Sequence, residues 1–246
     1  MEACLAEKTL LKVEIDHIQG RLHLKMGFEL TKDWTILFGP SGSGKSTLLR
    51  SIAGLAKPQS GRIAYRGMTL TDTARGVFVP AYQRPIRGAA QRAWLMPNKT
   101  VEECISSGIV GAEGSDILDE LLELFRLKQL KSKLSRLLSG GERQRASVAG
   151  AVAAAATWRG GDQPLLMLDE PFNGLDGALR DTIALELQEW LKKRRIPVLS
   201  VSHDVAECFL LAAEVIRMAD GKLLDQGPVK EVLADERTRI LAELRT

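Results

Sequence analysis

Ile36-Leu37-Phe38-Gly39-Pro40-Ser41-Gly42-Ser43-Gly44-Lys45-Ser46-Thr47 runs from an apolar triplet into a glycine-punctuated stretch that ends in a lysine and two hydroxyls. The triplet predicts a short buried strand. Thr47–Leu55 repeats its apolar residues at helical spacing and stops near Gly54 and Pro58, so the glycines link a strand to a helix. Gly39–Thr47 fulfils G-x-x-x-x-G-K-[ST] in that context, a pattern that cradles phosphates. Glycines allow backbone angles that aim several N–H groups inward, and the following helix adds its positive end. Lys45 is then placed to reach β/γ-phosphates, and Ser46 to offer a hydroxyl to Mg²⁺. The ligand implied is ATP or GTP with Mg²⁺, held by Gly39, Pro40, Ser41, Gly42, Ser43, Gly44, Lys45, Ser46 and Thr47. The bland alternative, a tight turn with an incidental lysine, is disfavoured by the strand and helix on either side.

Outward from this loop the periodicity changes along the chain. Leu10–Ile15 and Leu22–Leu30 alternate like strands with one wet face, and Gly61–Tyr65 starts another strand. Between Thr100 and Leu138 the period turns helical, with Ile117, Leu118, Leu121, Leu122 and Phe125 on one face. Leu165–Leu168 and Val198–Val201 read as short buried strands flanking the amphipathic helix Ala178–Lys193, an alternation typical of a sheet covered by helices. Val215–Gly227 predicts a hairpin around Asp220-Gly221, with a short helix after Pro228. The fold expected is α/β, with an N-terminal antiparallel β-subdomain and an inserted helical subdomain over about 92–158.

Composition narrows the function classes. With 246 residues the chain can bury a substantial core, and its net charge of +3 comes from 34 basic and 31 acidic residues without a long basic arm. Nucleic acid is therefore not the expected partner. Cys4, Cys104 and Cys208 are odd in number and far apart, which argues against a disulfide framework or a zinc site and for a reducing compartment. The most apolar run, around Ala151–Ala156, is mostly alanine and is broken by Thr157 and Arg159, so no membrane span is expected.

Two further motifs carry chemistry. Leu165-Leu166-Met167-Leu168-Asp169-Glu170 ends a buried strand in two acids at the sheet rim, where Asp169 suits Mg²⁺ and Glu170 suits an attacking water. An acidic turn before Pro171 is the alternative. Ser139 and Glu142 have the spacing of a capping box, so Leu138-Ser139-Gly140-Gly141-Glu142 can open a helix whose N–H groups face an anion. Taken alone, that box is equally consistent with an ordinary helix start.

Gly39–Thr47, Leu138–Glu142, Leu165–Pro171, Gly174-Leu175-Asp176 and Ser202-His203-Asp204, in this order, resemble the ATP-binding subunit of ATP-binding-cassette (ABC) transporters over nearly the whole chain, 1–246. The resemblance implies a P-loop NTPase core and ATP hydrolysis by a homodimer or paired cassettes. Each ATP would lie between the Gly39–Thr47 loop of one copy and Ser139, Gly140, Gly141 and Glu142 of the other. It also places Asp176 in the loop that crosses the dimer interface and His203 at the γ-phosphate, orienting Glu170. Separate transmembrane permease subunits and a periplasmic or extracellular substrate-binding protein are implied, with the chain on the cytoplasmic side of a bacterial or archaeal membrane.

Several positions depart from the family pattern. The glutamine that senses Mg²⁺ and water usually ends an aromatic-rich strand. Here Gln91 follows Gly88-Ala89-Ala90, while Gln83 follows Tyr82. Gln91 is preferred because Leu95-Met96-Pro97 and Thr100-Val101 match the usual continuation. The adenine-stacking aromatic has no counterpart, His17 being the available ring; Trp34 reads as packing or strand-end cover. Ala154–Gln163 reads as a surface insertion. Asp72–Gly76 with Pro80 resembles the spacer of molybdate importer ATPases, which points to molybdate or a related oxyanion as cargo. Because the sequence ends shortly after Lys230–Glu243, the added C-terminal regulatory domain of many molybdate ATPases is not expected here. A soluble cassette acting on DNA or ribosomes would normally show a coiled coil or second cassette, and a non-hydrolysing nucleotide sensor would not need Lys45, Asp169, Glu170 and His203 together.

Overall fold

A computed structural model describes residues 9–91, 93–111 and 114–243. Cys4, the boundary position Arg92 and both ends of the expected 1–246 domain lie outside the described residues. The chain divides into two compact units, Met1–Pro85 with Val201–Thr246, and Ile86–Ser200.

In the first unit, β1 (Leu11–Gln19) and β2 (Leu22–Leu30) pair antiparallel, with Val13 opposite Phe28 and Ile15 opposite Met26. Leu11, Val13 and Ile15 are buried while Lys12 and Glu14 face solvent, so the period-two pattern gives this sheet one dry face. With β4 (Ser60–Tyr65), β5 (Met68–Asp72) and β6 (Val77–Phe78) it forms a five-stranded sheet in the order β2-β1-β4-β5-β6. This is the antiparallel subdomain that the sequence predicts. β3 (Trp34–Phe38) lies parallel to β10 (Glu214–Ala219), pairing Ile36 with Val215 and Leu37 with Ile216. Trp34 is buried at the start of β3. β10 turns back into β11 (Lys222–Gly227) through Asp220 and Gly221, both at positive φ, 47° and 75°, the angles of a two-residue hairpin turn. Helix α1 (Lys45–Ala53) leaves the glycine-rich loop.

In the second unit, β7 (Ile86–Ala89) runs parallel to β8 (Leu165–Asp169), and β9 (Val198–Ser202) lies on the other side of β8. β8 and β9 are wholly buried, as expected of central strands without a wet face. The helices are α2 (Val101–Ser106), α3 (Gly114–Leu124), α4 (Gly140–Ala156) and α5 (Gly177–Lys193). Leu121, Leu122 and Phe125 are buried, and Ile117 and Leu118 are half-buried beside them.

The stretch Thr100–Leu138 is less continuous than its helical period suggests. α3 stops because Arg126 takes a left-handed φ of 55° and the Leu127 N–H returns to Leu122 O, after which two short 3-10 turns follow. The run 154–163 also differs from a plain surface insertion. Its first part is the buried end of α4; Thr157 Oγ1 bonds Ala153 O at 2.9 Å, and Arg87 stacks on the half-buried Trp158 ring at 4.1 Å. Among the described residues, no helix is long and apolar enough to cross a membrane. In α6 (Val205–Leu211), Cys208 is buried, and burial pushes its thiol far up from the ordinary range, as it raises Cys104. Neither carries reactive thiolate chemistry.

Candidate functional site

Lys45 opens α1, and its buried side chain folds back so that Nζ donates to Gly39 O and Pro40 O, both at 2.8 Å. Gly44 forms the N-cap at φ 102° and supplies no side-chain cap, which leaves first-turn N–H groups available to an anion. Gly39 is glycine for space: a Cβ there would lie 2.2 Å from Met218 O. The loop is further held by Gly221 N donating to Ser43 O at 3.0 Å. Ser43 Oγ is buried with no protein partner, an orphan hydroxyl that a phosphate oxygen fits. Thr47 Oγ1 donates to Gln19 Oε1 at 3.1 Å, tying α1 to the end of β1. Ser46 follows Lys45 in that first turn.

His17 lies two residues before Gln19, half-buried on the inward face of β1 with its Nδ1 shielded and unpartnered. His203 sits exposed in the turn after β9. That turn is fixed from both sides: Ser202 Oγ accepts Asp204 N–H at 3.1 Å and donates to Glu207 at 3.0 Å, while Asp204 caps α6.

In the second unit, β8 delivers the buried Asp169 and then Glu170, which leaves the strand at φ 49°. A left-handed glutamate costs about 1–3 kcal/mol, so its surroundings must hold it there. They do so through three side-chain bonds. Gln91 Nε2 and Asn173 Nδ2 each donate to Glu170 Oε2 at 3.0 Å, and the buried Gln144 donates to Glu170 O at 3.2 Å. Gln83, by contrast, belongs to a 3-10 turn of the first unit, where Nε2 donates to Tyr82 Oη at 3.2 Å. Asn173 and Gln144 escaped the sequence reading. Their available signals were the turn sequence Pro171-Phe172-Asn173-Gly174 and the position of Gln144 in the first turns of α4.

Ser139 and Glu142 make the expected reciprocal box: Glu142 N donates to Ser139 Oγ at 3.2 Å, and Ser139 N to Glu142 Oε2 at 2.7 Å. The Ser139 N–H, followed by the charge of Lys133, holds the Glu142 carboxyl below its ordinary range. Ser139 and Gly140 are exposed, and a Cβ on Gly140 would meet nothing within 4 Å. Gly141 approaches the loop before α5, where a Cβ would come 3.3 Å from Gly174 O. Asp176 caps α5 by accepting Leu179 N–H at 3.0 Å.

Against known families, residues 25–173 match the model described as ABC transporter. The chain belongs to this family. Curated relatives include the Molybdenum import ATP-binding protein ModC of Mesorhizobium japonicum, 35% identical over 226 residues, 91% of this chain and 59% of that protein. The ModC of Aromatoleum aromaticum is 38% identical over 218 residues, 85% of this chain and 56% of that protein. The chain thus spans well under two thirds of either relative. Among solved structures, cbiO1 from Clostridium perfringens, part of the ABC transporter complex cbiONQ, matches with a TM-score of 0.74 and 28% identity over 97% of this chain and 96% of that one. An ATP-binding subunit of an ABC transporter has the same fold, with a TM-score of 0.74 at 22% identity over 97% of this chain and 100% of that one.

Proposed function

We propose that this chain hydrolyses Mg·ATP as the cassette subunit of an importer for molybdate or a related oxyanion, acting in pairs against separate membrane permeases. The observation that carries the hydrolytic reading is the Glu170 carboxylate, held by the Gln91 and Asn173 amides directly after the Asp169 strand end. Such a carboxylate can accept a hydrogen bond from an attacking water and fix its direction, which is most of what phosphoryl transfer requires of a protein.

Other residues fit roles around that step. Lys45 exchanges its two loop carbonyls for the β/γ-phosphate oxygens, and the Ser43 hydroxyl and first-turn N–H groups of α1 take up phosphate oxygens. Ser46, Asp169 and Gln91 are the residues that would hold Mg²⁺, whose charge offsets that of the β/γ-oxygens. Among the described residues, no group of three or more His, Cys, Asp or Glu could hold a metal. A cation carried in by the triphosphate, with few protein ligands, is how Mg²⁺ is usually bound. His203 is assigned to the γ-phosphate, His17 to the base, and Asp176 to the interface between cassettes. The Ser139-Gly140-Gly141 start of α4, exposed at Ser139 and Gly140, faces the partner's nucleotide in this reading.

The permease contact is assigned to a groove of about 240 Å³ in the second unit, lined among others by Arg87, Trp94, Met96, Cys104, Ala151 and Ala154. Trp94, 79% exposed, offers that partner an indole, a side chain enriched at protein interfaces. The chain would be held through these permeases on the cytoplasmic side of a bacterial or archaeal membrane, in a system that includes an external substrate-binding protein. The cargo rests on the relatives' names and on the Asp72–Gly76 spacer. Two measurements test the reading: calorimetric titration of K45A should show loss of most Mg·ATP binding, and cells lacking the chain should lose uptake of labelled molybdate. Parental affinity in folded K45A overturns the nucleotide site, and unchanged molybdate uptake overturns the cargo.

A further inference from the structure

Arg84 heads the largest wholly buried side chains of the described residues and takes no part in the site above. A guanidinium has five N–H donors in a fixed fork. Five acceptors surround this one: Nε donates to Val79 O at 2.7 Å, Nη1 to Ser51 O at 3.2 Å and Ile52 O at 2.7 Å, and Nη2 to Leu70 O at 3.2 Å and Thr71 Oγ1 at 2.8 Å. The Phe78 ring lies 5.2 Å away. Burial pushes Arg84 down to about 10, which still leaves it charged at neutral pH. Its charge meets the last carbonyls of α1, the negative end of that helix. Gly54 completes the arrangement. It caps α1 at φ 77°, and a Cβ there would sit 2.4 Å from Arg84 Nε, so the chain leaves this space for the guanidinium.

The opposite end of α1 is the Gly39–Thr47 loop. A nine-residue helix is about 13 Å long, so tilting it by about 5° at one end moves the other by roughly 1 Å. A displacement of that size can cost about 100-fold in a positioned reaction.

We propose that Arg84 is a positioning residue for the nucleotide site: by joining the end of α1 to β5 and to Val79, it sets the helix axis and so the aim of Lys45 and the loop at the triphosphate. This rests on the reading of Gly39–Thr47 as the triphosphate site. Lysine keeps the charge but offers three donors instead of the fork, so R84K should fold yet bind Mg·ATP at least tenfold more weakly. T71V removes one acceptor at nearly constant shape and should weaken binding by a few-fold. G54A should reproduce the R84K loss, and the double variant should be little worse than either single.

The test is Mg·ATP titration and melting temperature for R84K, T71V and G54A, with L187A as a control. Leu187 is buried in α5 of the second unit and contributes none of the five acceptors around Arg84, so L187A should lower the melting temperature without changing Mg·ATP affinity. T71V keeps the test decisive if R84K fails to fold. Parental affinity in T71V and in any folded R84K, together with a lowered melting temperature, would reduce Arg84 to a structural role and overturn the proposal. K45A separates the two levels: lost binding in K45A with normal binding in R84K and T71V defeats only this inference, whereas normal binding in K45A defeats the site itself.

Discussion

The side-chain amide of Gln91 donates to Oε2 of Glu170 at 3.0 Å, although 79 positions separate them in sequence. The register of β7 on β8 brings this about: Ala89 pairs with Leu168, so the next residues of both strands emerge at the same end. The bond matters because Glu170 follows β8 in a left-handed conformation, and its carboxylate direction is set by side chains. A group that pulls Gln91 away removes one of the two amides that hold the Glu170 carboxylate, the other being Asn173.

Replacing Gln91 by alanine should therefore lower permease-stimulated ATP hydrolysis by about tenfold or more while changing nucleotide affinity little. Gln83→Ala should leave both hydrolysis and nucleotide affinity near the parental values, since Gln83 bonds the exposed Tyr82 hydroxyl in a separate 3-10 turn. Both variants are best compared in the assembled transporter. A selective loss in Gln83→Ala would assign the sensing role to the other glutamine.

Asn173 supports the same carboxylate oxygen from three residues downstream. N173A should cut kcat by about three- to tenfold at constant KM, because an unheld carboxylate samples unproductive directions. N173D should lose more, since a second carboxylate there repels Glu170 and raises its proton affinity. Equal kcat in the parent and N173D would show that the Asn173 contact does not restrain Glu170 during turnover.

What the sequence disclosed and what it hid differ by the range of the interaction. The Gly39–Thr47 loop, the Asp220-Gly221 hairpin and the Ser139–Glu142 box are local, so composition and spacing at a few positions determine them. The alternation in β1 and β2 discloses a dry face but not which residue stands opposite. Gln144 on Glu170 and Arg84 on the end of α1 are invisible for that reason, with separations of 26 positions for the first and 32 and 33 for the second. Ala154, Ala155 and Ala156 mislead as the start of a surface insertion, because alanine marks helix and burial equally and the side that packs is decided by neighbours far along the chain.

The Ser139–Glu142 box gives a pH prediction. Glu142 is held below its ordinary value of 4.5, chiefly by the Ser139 N–H, so its carboxylate stabilises the folded helix start above that value. The contribution is lost as pH falls through the lower folded-state value, because the folded state then gains the proton late. Hydrogen-exchange protection at the start of α4 should thus hold from neutral pH to about 4.5 and decline below it. In E142Q that decline should disappear. The same acid profile in parent and E142Q would mean that another group controls the cap.

Glu170→Gln tests catalysis and pairing together. The substitution keeps the side chain's size and leaves an amide oxygen to accept a bond, but removes the charge that polarises water, so Mg·ATP should still bind while hydrolysis slows by at least about 100-fold. Assembly is the more informative readout. If unhydrolysed ATP bridges the Gly39–Thr47 loop of one chain and the Ser139-Gly140-Gly141 turn of another, it binds the dimer in preference to the monomer and stabilises it by linkage. Light scattering of E170Q at low salt should then show a dimer with ATP and a monomer with ADP. Adding Ser139→Arg should abolish the ATP dimer, because it places a bulky cation at the start of α4 and removes the hydroxyl that accepts the Glu142 N–H. Parental hydrolysis in E170Q would remove Glu170 from the catalytic role. An inactive E170Q that stays monomeric with ATP, even beside its permeases, would instead leave Glu170 in place and remove the shared site between two cassettes.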